Sequence, residues 1–369
     1  MKPVLLVTGH APAYRVGAFA RLHEREDIEV ALFGGRSTHG GDSFAGTLPF
    51  PHRYVRPHEL AALTASRSYR AVVCPTGGRV APMATWAGTR RARVPLILWA
   101  SLWAHPRSPA HALSYIALRR LYRSADAVVT YGPHVSAYVR ARGASNVHIA
   151  PQSVDNDFWR AGTVAAPSDP DWPAEAHTRF LFVGRPVREK GLDVLIAAWR
   201  ASGLTRPTAA LVLVGGERGG PHTDAGETAR DSGRGRDVLR LGTVGPTELR
   251  NFYAACDVLV MPSIATATFR EPWGLVVNEA MNRGLSVIAS DQVGAAAGGL
   301  VRDGANGLLV PAGDSALLCG ALQRLAGDAA LRGRLGRAAA TDVLAFDHDA
   351  WASGFSEALA TLGLSRGRW

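Results

Sequence analysis

REPWGLVVNEAM, residues 270–281, sets two carboxylates, Glu271 and Glu279, eight residues apart around a Pro-Trp-Gly turn. The apolar run DVLVMPS (257–263) precedes it and LSVIASD (285–291) follows. Both read as strands of a parallel sheet, with a loop and a short helix between them. In such sheets ligands sit beyond the carboxyl ends of strands, where helix N-termini aim their N–H groups. Glu271 lies in the loop beside Pro272, which predicts that it is presented rather than buried. Gly274 permits close backbone approach, and a helix from about Gly274 to Asn282 offers its N-terminus to a phosphate. Inside that helix, the Glu279 carboxylate can accept hydrogen bonds from two neighbouring hydroxyls, as a ribose diol provides.

Upstream, the strand RFLFVGR (179–185) ends at Gly184-Arg185, and Gly191 opens the next helix after REK. Arg185 and Lys190 therefore share one loop at the carboxyl edge, suited to neutralising a diphosphate. The chain has 39 arginines and two lysines, Lys2 and Lys190. A lysine kept inside RPVREKG fits a place where a compact ammonium, not a planar fork, faces a phosphate. Two glutamates are also the acid/base pair of a glycosidase, but a cationic loop and a helix N-terminus fit a phosphorylated ligand better.

The same alternation of strand and helix extends in both directions. PVLLVTG (3–9), IEVALFGG (28–35), AVVCPTGG (71–78), VPLILWAS (94–101), AVVTYGP (127–133) and VHIAP (147–151) read as strands of a first parallel sheet. AALVLVGG (209–216), VLRLGTV (238–244) and NGLLVP (306–311) complete a second. The expected architecture is α/β: two facing Rossmann-like, doubly wound domains with a cleft between them. Residues 1–155 form the first domain and 179–344 the second, and the Pro-, Asp- and Ala-rich stretch 156–178 reads as a linker. A helix within residues 345–369 is expected to return to the first domain. The Gly- and charge-rich loop from Glu217 to Asp237 has no apolar periodicity and reads as mobile.

With 369 residues, 47% hydrophobic and 20% charged, the composition is that of a globular two-domain chain. No apolar run approaches the roughly 20 residues a membrane span requires. MKPVLLVTGHAPAY reads as a first strand and its loop rather than a signal peptide. Cys74, Cys256 and Cys319 are odd in number and far apart, which fits a reducing, cytoplasmic setting and buried thiols. The net charge of +10 lies wholly in residues 1–170, where 20 Lys/Arg face 10 Asp/Glu. Within it, ALSYIALRRLYRSADAVV (112–129) sets Arg119, Arg120 and Arg123 beside Tyr115, Ile116 and Tyr122. That segment is compatible with peripheral contact at an anionic membrane, though an ordinary solvated helix face is the favoured reading. Nucleic acid is not expected, since the arginines are dispersed and match no binding motif.

Four stretches carry a family resemblance: GRPVREKGLDVLIAAW (184–199), LRLGTVGPTELRNFYAACDVLVMPS (239–263), EPWGLVVNEAM (271–281) and LSVIASDQVGAAAGGLVRDGANGLLVPAGD (285–314). Together they resemble the retaining glycosyltransferases of family 4, of GT-B fold, nearly continuously from about residue 179 to 330. The first half is less diagnostic, although HAPAYRVGAFARLHEREDIEVALFGG is similar to the amino-terminal segment of some members. The resemblance implies transfer of a hexose-type sugar from a UDP- or GDP-linked donor to a hydroxyl of a saccharide, lipid-linked or natural-product acceptor. It implies Arg185 and Lys190 on the donor diphosphate, Glu279 on the ribose and Glu271 on hydroxyls of the transferred sugar. Gly184, Pro272 and Trp273 join the donor site, with backbone N–H groups of Gly274, Leu275 and Val276 on sugar and phosphate and Val244 bordering the base.

Members often present a histidine to the donor sugar from a mid-domain loop, and LWASLWAHPRSP places His105 there, with His10 and His111 as competitors. His10, Tyr14 and Arg15 are the acceptor-side candidates, although Gly9-His10-Ala11-Pro12 stands where many relatives carry a Gly-Gly pair. Transfer with retention needs no dedicated base if the leaving diphosphate takes the acceptor's proton. No cofactor or metal is expected, since Asp155-Asn156-Asp157, Asp169-Pro170-Asp171 and Asp347-His348-Asp349 read as caps or solvated charges. The rival readings are a GT-B nucleotide-sugar epimerase and a non-catalytic sugar-nucleotide-binding protein. An NAD oxidoreductase is weaker, because TGHAPAY lacks the GxGxxG turn.

Overall fold

A computed structural model describes residues 1–34, 47–78, 80–162, 165, 167–216 and 237–367. Contacts divide the chain into a first unit, Met1–Asp155 with the segment from Phe346 on, and a second, Asn156–Ala345.

The first unit is built on β1 (Val4–Thr8), β2 (Ile28–Leu32), β3 (His52–Tyr54), β4 (Ala71–Pro75), β5 (Leu96–Ala100), β6 (Ala127–Thr130) and β7 (Val147–Ile149). Their order is β3-β2-β1-β4-β5-β6-β7, with every pairing parallel. The central strands read as unbroken apolar runs because helices cover both faces. Strand β3, sequence HRY, is exposed along its length at the sheet edge and carries no apolar signal to betray it.

On one face, the helices Ala13–Glu26 and His348–Thr361 enclose Phe19, Trp99, Trp351 and Phe355. Trp351 has no exposed surface, and its ring centre is 4.5 Å from Phe355, 5.5 Å from Trp99 and 5.6 Å from Phe19. The last helix opens on Asp347, whose carboxylate accepts from the Ala350 N–H at 2.7 Å. Asp349 pairs with Arg21 at 2.5 Å and Arg25 at 2.6 Å. The helices Leu60–Ala65, Ala81–Ala92, Pro109–Ser124 and Pro133–Arg140 share a separate core on the opposite face.

The second unit repeats the plan with β8 (Thr178–Val183), β9 (Ala209–Val214), β10 (Val238–Leu241), β11 (Val258–Met261), β12 (Ser286–Ser290) and β13 (Gly307–Val310). The order is β10-β9-β8-β11-β12-β13, again all parallel. The stretch expected as a linker is instead part of this unit where it is described. Trp159, on the helix Asn156–Arg160, is buried against Tyr253 at 5.6 Å, and Trp172 packs on Phe252 at 5.8 Å. Apolar side chains embedded among Pro and Asp anchor a segment whose average composition reads as loop. Of the Glu217–Asp237 loop, residues 217–236 lie outside the described residues. The three cysteines form no disulfide. Among the described residues no helix is long and apolar enough to cross a membrane.

Candidate donor-binding site

The order of the second sheet reverses at β8, which pairs with β9 on one side and β11 on the other. Loops leaving the carboxyl ends of β8 and β11 therefore flank the crevice position of an open α/β sheet. The β8 loop runs from Gly184 through a 3₁₀ turn at Arg188–Lys190 to Gly191. Gly191 has φ +67°, and a Cβ there would lie 2.0 Å from the Pro262 carbonyl oxygen. Glycine is what lets the two loops press together. The Ile264 N–H then donates to the Glu189 carbonyl at 3.0 Å, stitching one loop to the other.

That close approach brings Lys190 Nζ within 2.5 Å of Glu271 Oε2. Their side chains keep 18% and 8% of their surface, so Glu271 is buried, not presented as its loop position predicted. Its backbone explains why. Glu271 bridges Val293, and its carbonyl accepts from the Gly294 N–H at 3.1 Å. Two residues on, the buried Trp273 indole donates to Asn278 Oδ1 at 2.8 Å, and the Trp273 carbonyl accepts from Ala295 N–H at 2.8 Å. Pro272 and Trp273 thus rivet the loop and fix where Glu271 points. Gly274 follows with φ +93° and caps the helix Leu275–Asn282 without a side-chain acceptor. That helix end keeps its positive partial charge three residues beyond Glu271.

Glu279 stands four residues into the same helix. The Tyr253 hydroxyl, on the helix Pro246–Ala255, donates to Glu279 Oε2 at 2.8 Å. The carboxyl retains a little surface but sits deep enough that desolvation pushes it up to about 7, against the downward pull of the tyrosine hydrogen bond. Tyr253 itself has no exposed surface, and burial beside Glu279 raises its phenol well above the ordinary value. Sequence reasoning passed over Tyr253. The available signal was a tyrosine on the inward stripe of an amphipathic helix, where phenylalanine would have packed equally well. Arg185 is exposed and makes no ion pair among the described residues, and Val244 is half-buried in the loop after β10.

In the first unit the order reverses at β1, between β2 and β4. His10 follows β1 and packs on the backbone of Gly34, where a Cβ would lie 2.7 Å from Nε2. Tyr14 is 47% exposed. Arg15 is buried: its guanidinium lies 5.3 Å from the Trp99 ring centre and 5.9 Å from Tyr131, and it donates to Gln152. Its charge is spent inside the fold rather than held at the surface. His105 Nε2 lies 2.7 Å from the His111 carbonyl, an acceptor, so that nitrogen carries the proton. Its Nδ1 faces the Tyr138 hydroxyl at 3.5 Å, and the Tyr115 ring packs edge-on at 5.1 Å. His111 is engaged in turn by Ser108 at 2.6 Å. Among the described residues no cluster of three or more His, Cys, Asp or Glu side chains could hold a metal ion.

The sequence signature of the family described as glycosyl transferases group 1 matches residues 177–328, which carry β8 to β13 and every candidate donor-site residue above. The second unit thus carries the group 1 glycosyl transferase signature. One relative, the D-inositol 3-phosphate glycosyltransferase of Acidothermus cellulolyticus, is 36% identical over 179 residues, covering 46% of this chain and 38% of that protein. A second, the GDP-mannose-dependent alpha-(1-6)-phosphatidylinositol monomannoside mannosyltransferase of Mycobacterium tuberculosis, is 33% identical over 195 residues, 48% of this chain and 47% of that one. The chain thus spans less than half the length of these two relatives. Among solved structures, Anabaena Alr3699/HepE in complex with UDP and glucose matches with a TM-score of 0.74 and 19% identity, over 98% of this chain and all of that one. The chain therefore has the GT-B fold, with two doubly wound parallel sheets.

Proposed function

We propose that this chain transfers a hexose-type sugar from a UDP- or GDP-linked donor to a hydroxyl of a saccharide, lipid-linked or natural-product acceptor, with retention at the anomeric carbon. The observation that carries the reading is the Lys190–Glu271 pair at 2.5 Å, at the reversal point of the second sheet and on the loop that opens the helix Leu275–Asn282. A relative named as GDP-mannose-dependent, and a structural neighbour in complex with UDP and glucose, support this class of donor.

In this reading the donor exchanges the pair's partners. The diphosphate takes the Lys190 ammonium together with Arg185 and the N–H groups of Gly274, Leu275 and Val276, and the released Glu271 carboxylate accepts hydroxyls of the sugar. Glu279 receives the ribose diol and Val244 borders the base. The bond from the anomeric carbon to the diphosphate oxygen breaks as the acceptor oxygen bonds on the same face. A diphosphate oxygen takes the acceptor's proton. Leaving-group charge is met by Arg185, Lys190 and the helix N-terminus, so the scheme uses no metal. His105 contributes to the sugar only by giving up its bond to the His111 carbonyl. Of the acceptor-side candidates, His10 and Tyr14 have surface to offer and Arg15 does not. A cytoplasmic setting, where nucleotide sugars are made, belongs to the same reading.

The test is slow release of UDP or GDP from a panel of sugar nucleotides without acceptor. Release from one donor, reduced on the order of 10²–10³-fold in Lys190→Ala and Glu271→Ala, is the expected result. Conversion of the donor to its epimer identifies the epimerase instead. Binding without turnover identifies the non-catalytic protein.

A further inference from the structure

From Leu60 to Val154 the chain carries twelve arginines and a single acidic residue, Asp126. The fold gathers this imbalance onto one face of the first sheet, because the four helices of that stretch share one core. Arg70 drops out of the count, and the one acidic charge stays at an edge. Arg70 is buried on Glu26 at 2.8 Å, and Asp126 lies at the amino edge, where it accepts from the Leu96 N–H at 2.8 Å. Arg90, Arg91, Arg119, Arg120, Arg123 and Arg140 remain exposed.

Their helices adjoin. The Trp86 indole donates to Ser124 Oγ at 2.9 Å, and the Arg120 guanidinium lies 5.3 Å from its ring centre, joining Ala81–Ala92 to Pro109–Ser124. The stem of Arg123 runs against Gly143, just beyond Pro133–Arg140, where a Cβ would lie 2.6 Å from Cγ. Among the described side chains of Pro109–Ser124 the exposed ones are Ala112, Ile116, Arg119, Arg120 and Arg123, a spacing that forms one stripe. Ile116, at the middle of that stripe, is 68% exposed, and Val80, before the neighbouring helix, is 52% exposed. The other face of the sheet differs: there Arg21 and Arg25 are neutralised by Glu24 and Asp349.

We propose that this arginine face docks on an anionic lipid surface, its guanidinium groups on lipid phosphates and Ile116 inserted between headgroups. The exposed isoleucine favours lipid over a nucleic acid, since an apolar side chain among cations gains nothing from a phosphate backbone but inserts readily at a bilayer interface. Docking by this face stands whether or not the chain transfers a sugar.

The test is co-sedimentation of the full chain with vesicles of phosphatidylglycerol and phosphatidylcholine, against pure phosphatidylcholine vesicles and a transfer RNA. At about fivefold per cation near an anionic surface, the triple variant Arg119→Gln, Arg120→Gln, Arg123→Gln is expected to bind the anionic vesicles on the order of 10²-fold more weakly. Ile116→Ser should weaken binding several-fold with no change in net charge. A control triple, Arg200→Gln, Arg324→Gln, Arg337→Gln, removes three exposed cations from the second unit and should leave binding unchanged. All three are surface changes, so thermal unfolding should be unaltered. Equal losses in the two triple variants, an Ile116→Ser variant that binds as wild type, or binding to RNA in preference to vesicles would each overturn the proposal.

Discussion

The carboxyl edges of the two sheets occupy equivalent places in the same architecture and are furnished by opposite means. In the second unit, the loops after β8 and β11 and the helix that follows bring forward a lysine, two glutamates and a helix end with no side-chain cap. The matching edge of the first unit turns its arginine inward, over Trp99 and Tyr131, and ties His105 to the His111 carbonyl. The diphosphate and diol proposed for the second unit would demand particular side chains at particular spacings, so that edge is written in residue types. The first unit's edge is shaped by how its own core is closed, with the terminal helix as part of that core.

The largest effect expected from this contrast is structural and confined to the first unit. Deleting the chain from Phe346 on removes Trp351 and Phe355 from the aromatic core, and Trp351→Ala alone should cost about 3–5 kcal/mol. Calorimetry should show the first unit's unfolding transition lost in the deletion and lowered in the point variant. A truncated chain with wild-type melting and activity would end the idea that this helix closes the first core.

A smaller loss should follow from opening the buried clasp that joins the two ends of the same unit. Arg70 donates to the Glu26 carboxylate at 2.8 Å, to the Lys2 carbonyl at 2.6 Å and to the Leu364 carbonyl at 2.8 Å, while Ser365 and Arg366 donate to Glu26. Glu26→Leu strands a buried guanidinium, for which about 3 kcal/mol is typical at the low end. At about 2–4 °C per kcal/mol, melting should fall by roughly 6–12 °C. Nucleotide affinity, which the proposed function assigns to the second unit, should hold. A matching fall in that affinity would show that the two edges are not independent.

Much of this was legible beforehand, and unevenly. Continuous apolar runs such as AALVLVGG and AVVCPTGG announce buried parallel strands because both faces need the same chemistry. Lys190, Glu271 and Glu279 stand out because charge inside an apolar frame is costly and needs a reason. What could not be read is whatever depends on a partner far off in sequence. The burial of Glu271 comes from Lys190, 81 residues away, and from the bridge to Val293. The attachment of Trp159 to the second unit depends on Tyr253, and β3 exists only by pairing with β2. Arg15 and Tyr14 are adjacent in sequence, yet one is buried and the other exposed.

Tyr253 allows the finest cut at the second unit's edge. If its hydroxyl aims the Glu279 carboxylate at a ribose diol, Tyr253→Phe should leave the fold intact and weaken ribonucleotides more than 2′-deoxyribonucleotides. The lost bond is to a charged acceptor and is worth roughly 1.5–3 kcal/mol, so discrimination should fall on the order of tenfold. Acidity gives a second readout. Burial holds the Glu279 carboxyl at about 7, above its ordinary 4.5, so its proton is retained across that window in the folded chain and lost in the unfolded one. Between those values the unfolded state binds fewer protons, so this group lowers stability as pH rises and adds no further loss above about 7. Ribose recognition runs the other way, because only the carboxylate accepts from both hydroxyls, and affinity should climb as pH passes through about 7. The tyrosine bond favours the ionised form, so removing it should move that midpoint upward. The diphosphate titrates in the same range, which makes the difference between wild type and variant the quantity to measure. An unchanged midpoint together with unchanged ribose discrimination would reduce Tyr253 to packing, and leave Glu279 to be aimed by its helix alone.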